Sequence, residues 1–341
     1  MDSSNRQRFL EAFGGPPRVI LVAEIGNNHE GDFGLAREMV AAAAECGADA
    51  VKFQHFVPSR YVAISEDSRR ARLQQFALNN DQLLELFDLS RSLGLVPFAT
   101  AFDVETQDWL SQHQKILKIA SADNTFSDLI QSAGLSSLPT IVSTGFLSSH
   151  EILDLEKDWR NKFDTPFALL HCVAAYPAAH DDLNLLSISH LSRAIPRTPV
   201  GFSDHSIGIT AALTAVALGA FLIEKHFTID HNHSDFRDHQ LSANPAELTE
   251  LAKGIRLIER SMGNGVKEVT SSELAHQELV RRSAAAKYAL PAGTKILKAD
   301  IIYLRPGNGF PPSREAELLG RLLIRNIKEG ETITESDVRQ P

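Results

Sequence analysis

The chain has 341 residues, 43% of them hydrophobic and 23% charged, with a formal net charge of −9 at pH 7. That length suits a barrel-sized domain with a small companion, and the acidic balance argues against nucleic acid, whose phosphates reward clustered Lys and Arg, while local lysines in a cleft can still receive a small anion. Cys46 and Cys172 are the two cysteines; they give no disulfide framework or cysteine-based zinc site, and with no signal-like leader or membrane-length apolar run the chain reads as a soluble cytoplasmic protein.

Residues 1–13 predict a short leading helix, broken at Gly14-Gly15-Pro16-Pro17. Apolar runs of strand length then recur at 18–25, 50–54, 95–102, 116–121, 140–144, 167–172, 199–204 and 221–228. Amphipathic helical patterns lie between them, and an eighth helix starts at Asn244-Pro245, where Asn can cap and Pro suits the first turn. Nearly continuous apolar strands alternating with helices imply a parallel sheet covered by helices. Eight of each predict an α/β fold, a closed (β/α)₈ TIM barrel, over an open doubly wound sheet, and no Gly-rich phosphate fingerprint follows the first strand. The pattern changes after Gly263. We assign 1–263 to the barrel, the polar stretch 264–280 to a linker and 281–341 to a small β-rich domain with short strand runs at PAGTKI and KEGETIT.

In such a barrel the chemistry collects at the C-terminal ends of the strands. His205 and His226 end consecutive strands joined by one helix, so they fall side by side. Two neutral imidazoles there can hold a divalent metal that polarises a carbonyl; the alternative is that one caps a hydrogen bond and the other packs in a strand end. The other strand ends bring Glu24 and Asn27-Asn28-His29, Lys52 and Gln54, Thr100 and Asp103, and Lys118, Ser121, Asp123 and Asn124. They also bring Ser143-Thr144, His171 and Tyr176, and Ser203, Asp204 and Lys225. A lysine inside an apolar strand is costly unless it meets an anion. Lys52 and Lys118, with hydroxyls at Thr100, Ser121, Ser143 and Ser203, therefore point to a receptor for a phosphate and a carboxylate; pairing with Glu24, Asp103 or Asp123 is the competing reading. Asp123 is placed to accept a proton from a reacting water.

The segments AEIGNNHEGD (23–32), ADAVKFQ (48–54), KIASAD (118–123), STG (143–145), LLHC…YP (169–177), GFSDHS (201–206) and EKHFT (224–228) resemble the strand-end motifs of the N-acetylneuraminate (sialic acid) synthase family. RRSAAAK (281–287) and RPGNG (305–309) resemble that family's C-terminal antifreeze-like (SAF) domain. The resemblance implies condensation of phosphoenolpyruvate with an N-acylated hexosamine and water, releasing phosphate and a nine-carbon 2-keto-3-deoxy acid. It implies that Lys118, Ser121 and Thr100 hold the phosphate, and that Lys52, Ser143 and Ser203 hold the carboxylate. His205 and His226 would carry a divalent metal, usually manganese, with magnesium or cobalt as alternatives. Glu24, Gln54, Tyr176 and Asp238 would orient the open-chain sugar. Arg305 would be delivered into a partner subunit's barrel, which makes the expected assembly a domain-swapped homodimer.

Three departures from the family pattern stand out: Ala174 where members often carry Asn or Ser, Asp123 where many have Glu, and the loop 229–239 in place of a Pro-Gly-Pro-Asp run. They fall mainly on the sugar side and leave the hexosamine open, as N-acetylmannosamine or a di-N-acylated deoxyhexosamine. A metal-dependent aldolase or lyase acting on a keto-sugar acid is the rival enzyme class, but it needs no phosphate receptor. A sugar- or ice-binding protein fits poorly with a tail carrying Arg282, Lys287, Arg305, Arg314, Arg321 and Arg325.

Overall fold

A computed structural model describes residues 3–14 and 18–341. Eight parallel strands close in chain order: β1 (Ile20–Gly26), β2 (Ala50–His55), β3 (Val96–Ala101), β4 (Leu117–Ile119), β5 (Thr140–Ser143), β6 (Phe167–Cys172), β7 (Val200–Asp204) and β8 (Leu222–His226). The closing pair, β1 with β8, sets Glu24 level with His226, and on its other side β1 sets Glu24 level with Lys52. Around the ring Gln54 stands level with Thr100, Thr100 with Lys118, and Ser203 with Glu224. The expected TIM barrel is therefore present.

Strand alternation sorts each strand into two faces. Leu21, Ala23, Ile25, Val51, Phe53, Ala99, Val142, Leu169, Phe202 and Ile223 point outward into the layer between sheet and helices. Their neighbours in sequence point inward. Ile20, Val22, Ala50, Phe98, Ile141, Ala168, Leu170 and Leu222 form an apolar lower core inside the barrel. The helix Ser3–Ala12 and the turn after it seal that end, adding Phe9, Leu10 and Phe13, with the Phe9 and Phe221 rings edge-on at 5.9 Å. The expected break falls partly outside the described residues; Gly14 adopts a φ of 70°.

Several outer helices start from side-chain caps. Asn79 with Gln82, Ser148 with Glu151 and Asn244 with Glu247 each form a reciprocal capping box, the last with Pro245 in the first turn as expected. Two helices that the sequence reading lacked, Pro58–Tyr61 and Asp67–Phe76, lie between β2 and the helix Asn80–Ser92. The second is seated closely. A Cβ on Gly31, whose φ is 87°, would fall 2.0 Å from the Gln75 carbonyl oxygen, and the Phe76 and Phe236 rings meet at 5.2 Å.

The chain divides into two compact units, Met1–Gly263 and Asn264–Pro341. In the second, the stretch expected as a linker includes a helix, Ser271–Val280, whose start is boxed by Thr270 and Glu273. Strands Ser283–Ala286 and Ile301–Leu304 pair antiparallel, as do Leu322–Leu323 and Val338–Arg339. PAGTKI and KEGETIT are turns carrying single bridges, Lys295 to Leu322 and Thr332 to Ala285, rather than strands. The core of this unit is small, with Ala284, Ala286, Leu290, Ile296, Phe310, Leu318, Leu323, Ile327 and Ile333 at its centre. Among the described residues no helix is long and apolar enough to cross a membrane.

Candidate active site

Above the lower core the inward-facing positions turn polar, and they open into a cavity of about 830 Å³. Its lining includes Glu24, Lys52, Gln54, Thr100, Lys118, Ser121, Ser143, Tyr176, Ser203, His205, His226 and Asp238. Twelve of the side chains proposed from sequence thus meet in one space. Both lysines are buried. Lys52 Nζ lies 2.9 Å from Glu24 Oε1 and 3.7 Å from Glu224 Oε2, and donates to Thr100 Oγ1 at 3.3 Å. Lys118 Nζ donates to Ser143 Oγ at 2.7 Å and lies 4.0 Å from Glu224 Oε1, which also accepts from Ser203 Oγ at 2.9 Å.

The charge balance at this floor follows from burial. Desolvation alone would raise both carboxyls, but Lys118 and Lys52 outweigh it at Glu224 and hold that group below the usual carboxylate range. Glu24 is less compensated: burial pushes it up to about 7 against the pull of Lys52, and the nearby Glu224 charge adds to the rise. Two lysines therefore face one carboxylate held in its charged form and one that is part-protonated near neutrality, which leaves a net positive floor even though burial also draws Lys118 below the usual lysine range. Both readings of the lysines hold in part. They pair with glutamates, and a positive excess remains for an anion. Ala174 also lines the cavity and brings no donor.

His205 and His226 stand with ring centroids 5.3 Å apart, and Tyr176 lies 4.2 Å from His205. His205 Nδ1 meets the Val173 carbonyl at 2.9 Å and Cys172 Sγ at 3.7 Å. Donation to that carbonyl orients the ring; against burial, Cys172 and this carbonyl hold His205 above the ordinary histidine range, and in its neutral form Nε2 carries the free lone pair. His226 is driven well below the ordinary histidine range by burial, with His205 and the lysines adding to it, so its ring is neutral. Its Nδ1 is buried without a hydrogen-bond partner. One oriented imidazole beside one neutral imidazole with an orphaned nitrogen fits a divalent metal held by two protein ligands. Among the described residues no cluster of three or more His, Cys, Asp or Glu forms a closed metal site.

Other expected strand-end residues face elsewhere. Lys225 and Asp204 are fully buried and pair with each other at 3.1 Å. His171 Nε2 contacts the Leu183 carbonyl, Asp103 caps Thr106, and Asn124 donates to the Ser143 and Gly145 carbonyls. Asn28 donates to the Phe227 carbonyl and Ser242 Oγ. These side chains support the rim. Asp123 stands beside the lining residues Ser121 and Ala122 rather than among the lining residues; burial pushes its carboxyl up to about 6, with Lys118 opposing. Arg305 belongs to the second unit, where its Nε donates to the Val280 carbonyl at 2.7 Å.

The sequence reading missed Glu224, which period-two alternation from His226 would have found. It also missed an outer tier of Tyr61, Arg69, Arg72, Phe76, Phe236 and Arg237.

Residues 39–267 match the NeuB family model, and residues 281–339 match that of the SAF domain. The chain belongs to the NeuB family. It is 36% identical to an N,N'-diacetyllegionaminic acid synthase of Legionella pneumophila, covering 98% of each chain. It is 30% identical to the N-acetylneuraminate-9-phosphate synthase of Mus musculus, covering 95% of this chain and 94% of that one. A crystal structure of an N-acetylneuraminic acid synthetase from Leptospira borgpetersenii superposes with a TM-score of 0.71 at 36% identity, over 76% of this chain and 90% of that one. This NeuB-family chain is accordingly an enzyme of the sialic acid synthase type, with a TIM barrel and a C-terminal SAF domain.

Proposed function

We propose that the chain condenses phosphoenolpyruvate with an N-acylated hexosamine and water, giving a sialic-acid-type nine-carbon 2-keto-3-deoxy acid and phosphate. The observation that carries this reading is the buried cationic floor, Lys52 and Lys118 with hydroxyls from Thr100, Ser121, Ser143 and Ser203, in the same cavity as the His205–His226 pair. Lys118, Ser121 and Thr100 take the phosphate, and Lys52, Ser143 and Ser203 take the carboxylate. Bidding for both anions at once fixes the enol carbon that reacts. A metal-dependent aldolase would have no use for a phosphate receptor.

Carbon 3 of phosphoenolpyruvate bonds to the aldehyde carbon as the carbonyl π pair moves to its oxygen, which takes up a proton to become the product's hydroxyl, and carbon 2 gains oxocarbenium character. A divalent metal held by His205 and His226, manganese in this reading, supplies Lewis acidity toward the aldehyde when bound. Water adds at carbon 2, and its proton passes to a carboxylate, which we assign to Asp123. The tetrahedral adduct then expels phosphate with its bridging oxygen, leaving the keto group. Glu24, Gln54, Tyr176 and Asp238 orient the sugar; Gln54 is itself steered by donation from Asn27 at 2.8 Å and to Glu24 at 3.4 Å. Arg305 of a partner subunit completes the site at the acyl end.

Phosphate release from phosphoenolpyruvate with manganese, across N-acetylmannosamine and di-N-acylated deoxyhexosamines, tests the reading. At least one acceptor supports release, chelation abolishes it and manganese restores it. Release of phosphate that is independent of any acceptor sugar, or turnover by a His205→Ala/His226→Ala variant at the parent rate in chelator, overturns it.

A further inference from the structure

The loop after β8, residues 229–239, brings Phe236, Arg237 and Asp238 to the cavity wall, and it has no proline to restrict its backbone. Part of its hold comes from the loop after β1. Asn28 grips the two ends of the segment, donating to the Phe227 carbonyl and to Ser242 Oγ. Glu30 grips the middle. One carboxylate oxygen, Oε1, accepts from Ser234 Oγ and from His239 Nε2, the latter at 3.0 Å. Ser234 Oγ in turn accepts from the Phe236 N–H at 3.0 Å, and His239 Nδ1 meets Thr228 Oγ1 at 2.7 Å. The two side chains tied to Glu30 therefore bracket the three that line the cavity.

Glu30 is itself tightly placed. Its φ is 47°, in the left-handed region that a residue with a long side chain seldom adopts and that persists where the surroundings over-determine it. Against burial, the bonds from Ser234 and His239 hold its carboxyl below the usual carboxylate range, so it acts as a charged acceptor for both. The next residue, Gly31, is pressed against the Gln75 carbonyl of the helix Asp67–Phe76, whose Phe76 ring meets Phe236 at 5.2 Å. Glu30 and Gly31 thus join the segments after β1, β2 and β8 into one wall. Glu30 is not among the lining residues, and no step of the chemistry above uses it.

We propose that Glu30 is a positioning residue for the acceptor: by holding Ser234 and His239 it fixes the loop 229–239 and, through it, the direction of the Asp238 carboxylate. This rests on the condensation reading and on its assignment of Asp238 to the sugar. Glu30 touches neither substrate. Its loss loosens the acceptor side of the cavity and leaves the lysine floor as it is.

Hydrogen exchange on the manganese-loaded enzyme, read by mass spectrometry, follows the loop directly. Glu30→Ala speeds exchange across 229–242 by about ten-fold while the amides of β1 keep the parent rate, roughly what loss of a charge-assisted hydrogen bond gives. Glu30→Gln, whose amide oxygen can still accept both bonds, stays near the parent. Phosphate release reads the consequence, with whichever of N-acetylmannosamine and the di-N-acylated deoxyhexosamines turns over. In Glu30→Ala the KM for that sugar rises about ten-fold and the KM for phosphoenolpyruvate stays within about two-fold, and Glu30→Gln recovers most of the loss. In an Asp238→Asn background Glu30→Ala adds less than about two-fold, because its effect passes through Asp238. Thermal unfolding verifies that each variant is folded. Unchanged exchange across 229–242, equal rises in the two KM values, or losses that multiply in full in the double variant overturn the proposal. If no acceptor turns over, the condensation reading fails, and hydrogen exchange still decides whether Glu30 holds the loop.

Discussion

Lys118 and Asp123 carry the sharpest consequences at the scale of single residues. Lys118→Met removes a cation whose Nζ donates to Ser143 and balances Glu224. One charge-assisted phosphate contact contributes about 1.5–3 kcal/mol, so kcat/KM for phosphoenolpyruvate falls ten-fold or more, roughly. An unchanged kcat/KM would place the phosphate elsewhere. Burial pushes the Asp123 carboxyl up to about 6, with Lys118 opposing. If it is the base, as proposed, it must be ionised, so the rate is expected to fall as pH drops through about 6, and Asp123→Asn to remove that limb with most of the turnover. The stability sign is opposite. The folded chain holds this proton more tightly than the unfolded chain, so stability falls as pH rises from the ordinary aspartate value, 3.8, toward about 6, and the cost is full above that. Asp123→Asn therefore unfolds at a higher temperature than the parent at pH 7.5. An equal or lower unfolding temperature, or an acid limb that persists in the variant, would move the role to another carboxyl, Glu24 first.

Elements divide the barrel into a floor for chemistry and a lower end for stability. The eight strands were legible because apolar runs of strand length recur between helical patterns, and each placed its terminal residue near the mouth. Facing was harder to read. Listing strand ends without alternation put Lys225, Asp204 and His171 at the mouth, although the pleat turns Lys225 outward between the inward Glu224 and His226. The helix Asp67–Phe76 escaped notice for a different reason. Only Leu73 and Phe76 are buried, and Glu66 gives it no side-chain cap, so its position comes from contacts with distant Gly31 and Phe236. At the lower end, Phe9 is fully buried against Phe221, in the apolar lower core inside the barrel. Phe9→Ala opens a cavity and costs about 3–5 kcal/mol. Denaturant unfolding shifts by that amount while kcat/KM below the transition stays at the parent value. A loss of turnover without a loss of stability would show that the leading helix serves the site.

At the scale of the whole molecule, the proposed role of Arg305 at the sugar's acyl end turns on assembly. That arginine is exposed, in the turn-rich run RPGNGFPP, on a unit with a small core of its own. The former linker is shorter than its sequence suggested, because Ser271–Val280 is helical and leaves only 264–270 before it, opening with a turn at Asn264-Gly265. Fully extended, those seven residues would span at most roughly 23–25 Å. A reciprocal exchange of second units has two-fold symmetry and closes as a dimer. We therefore predict a homodimer in which each Arg305 completes its partner's site. Arg305→Ala and Lys118→Met variants, each impaired alone, are dissociated, mixed and reassociated. In the exchanged arrangement a heterodimer holds one site with both defects and one with neither, so activity returns toward half of the parent level per heterodimer. If Arg305 instead serves its own chain, every site in the heterodimer keeps one defect, and verified heterodimers stay impaired.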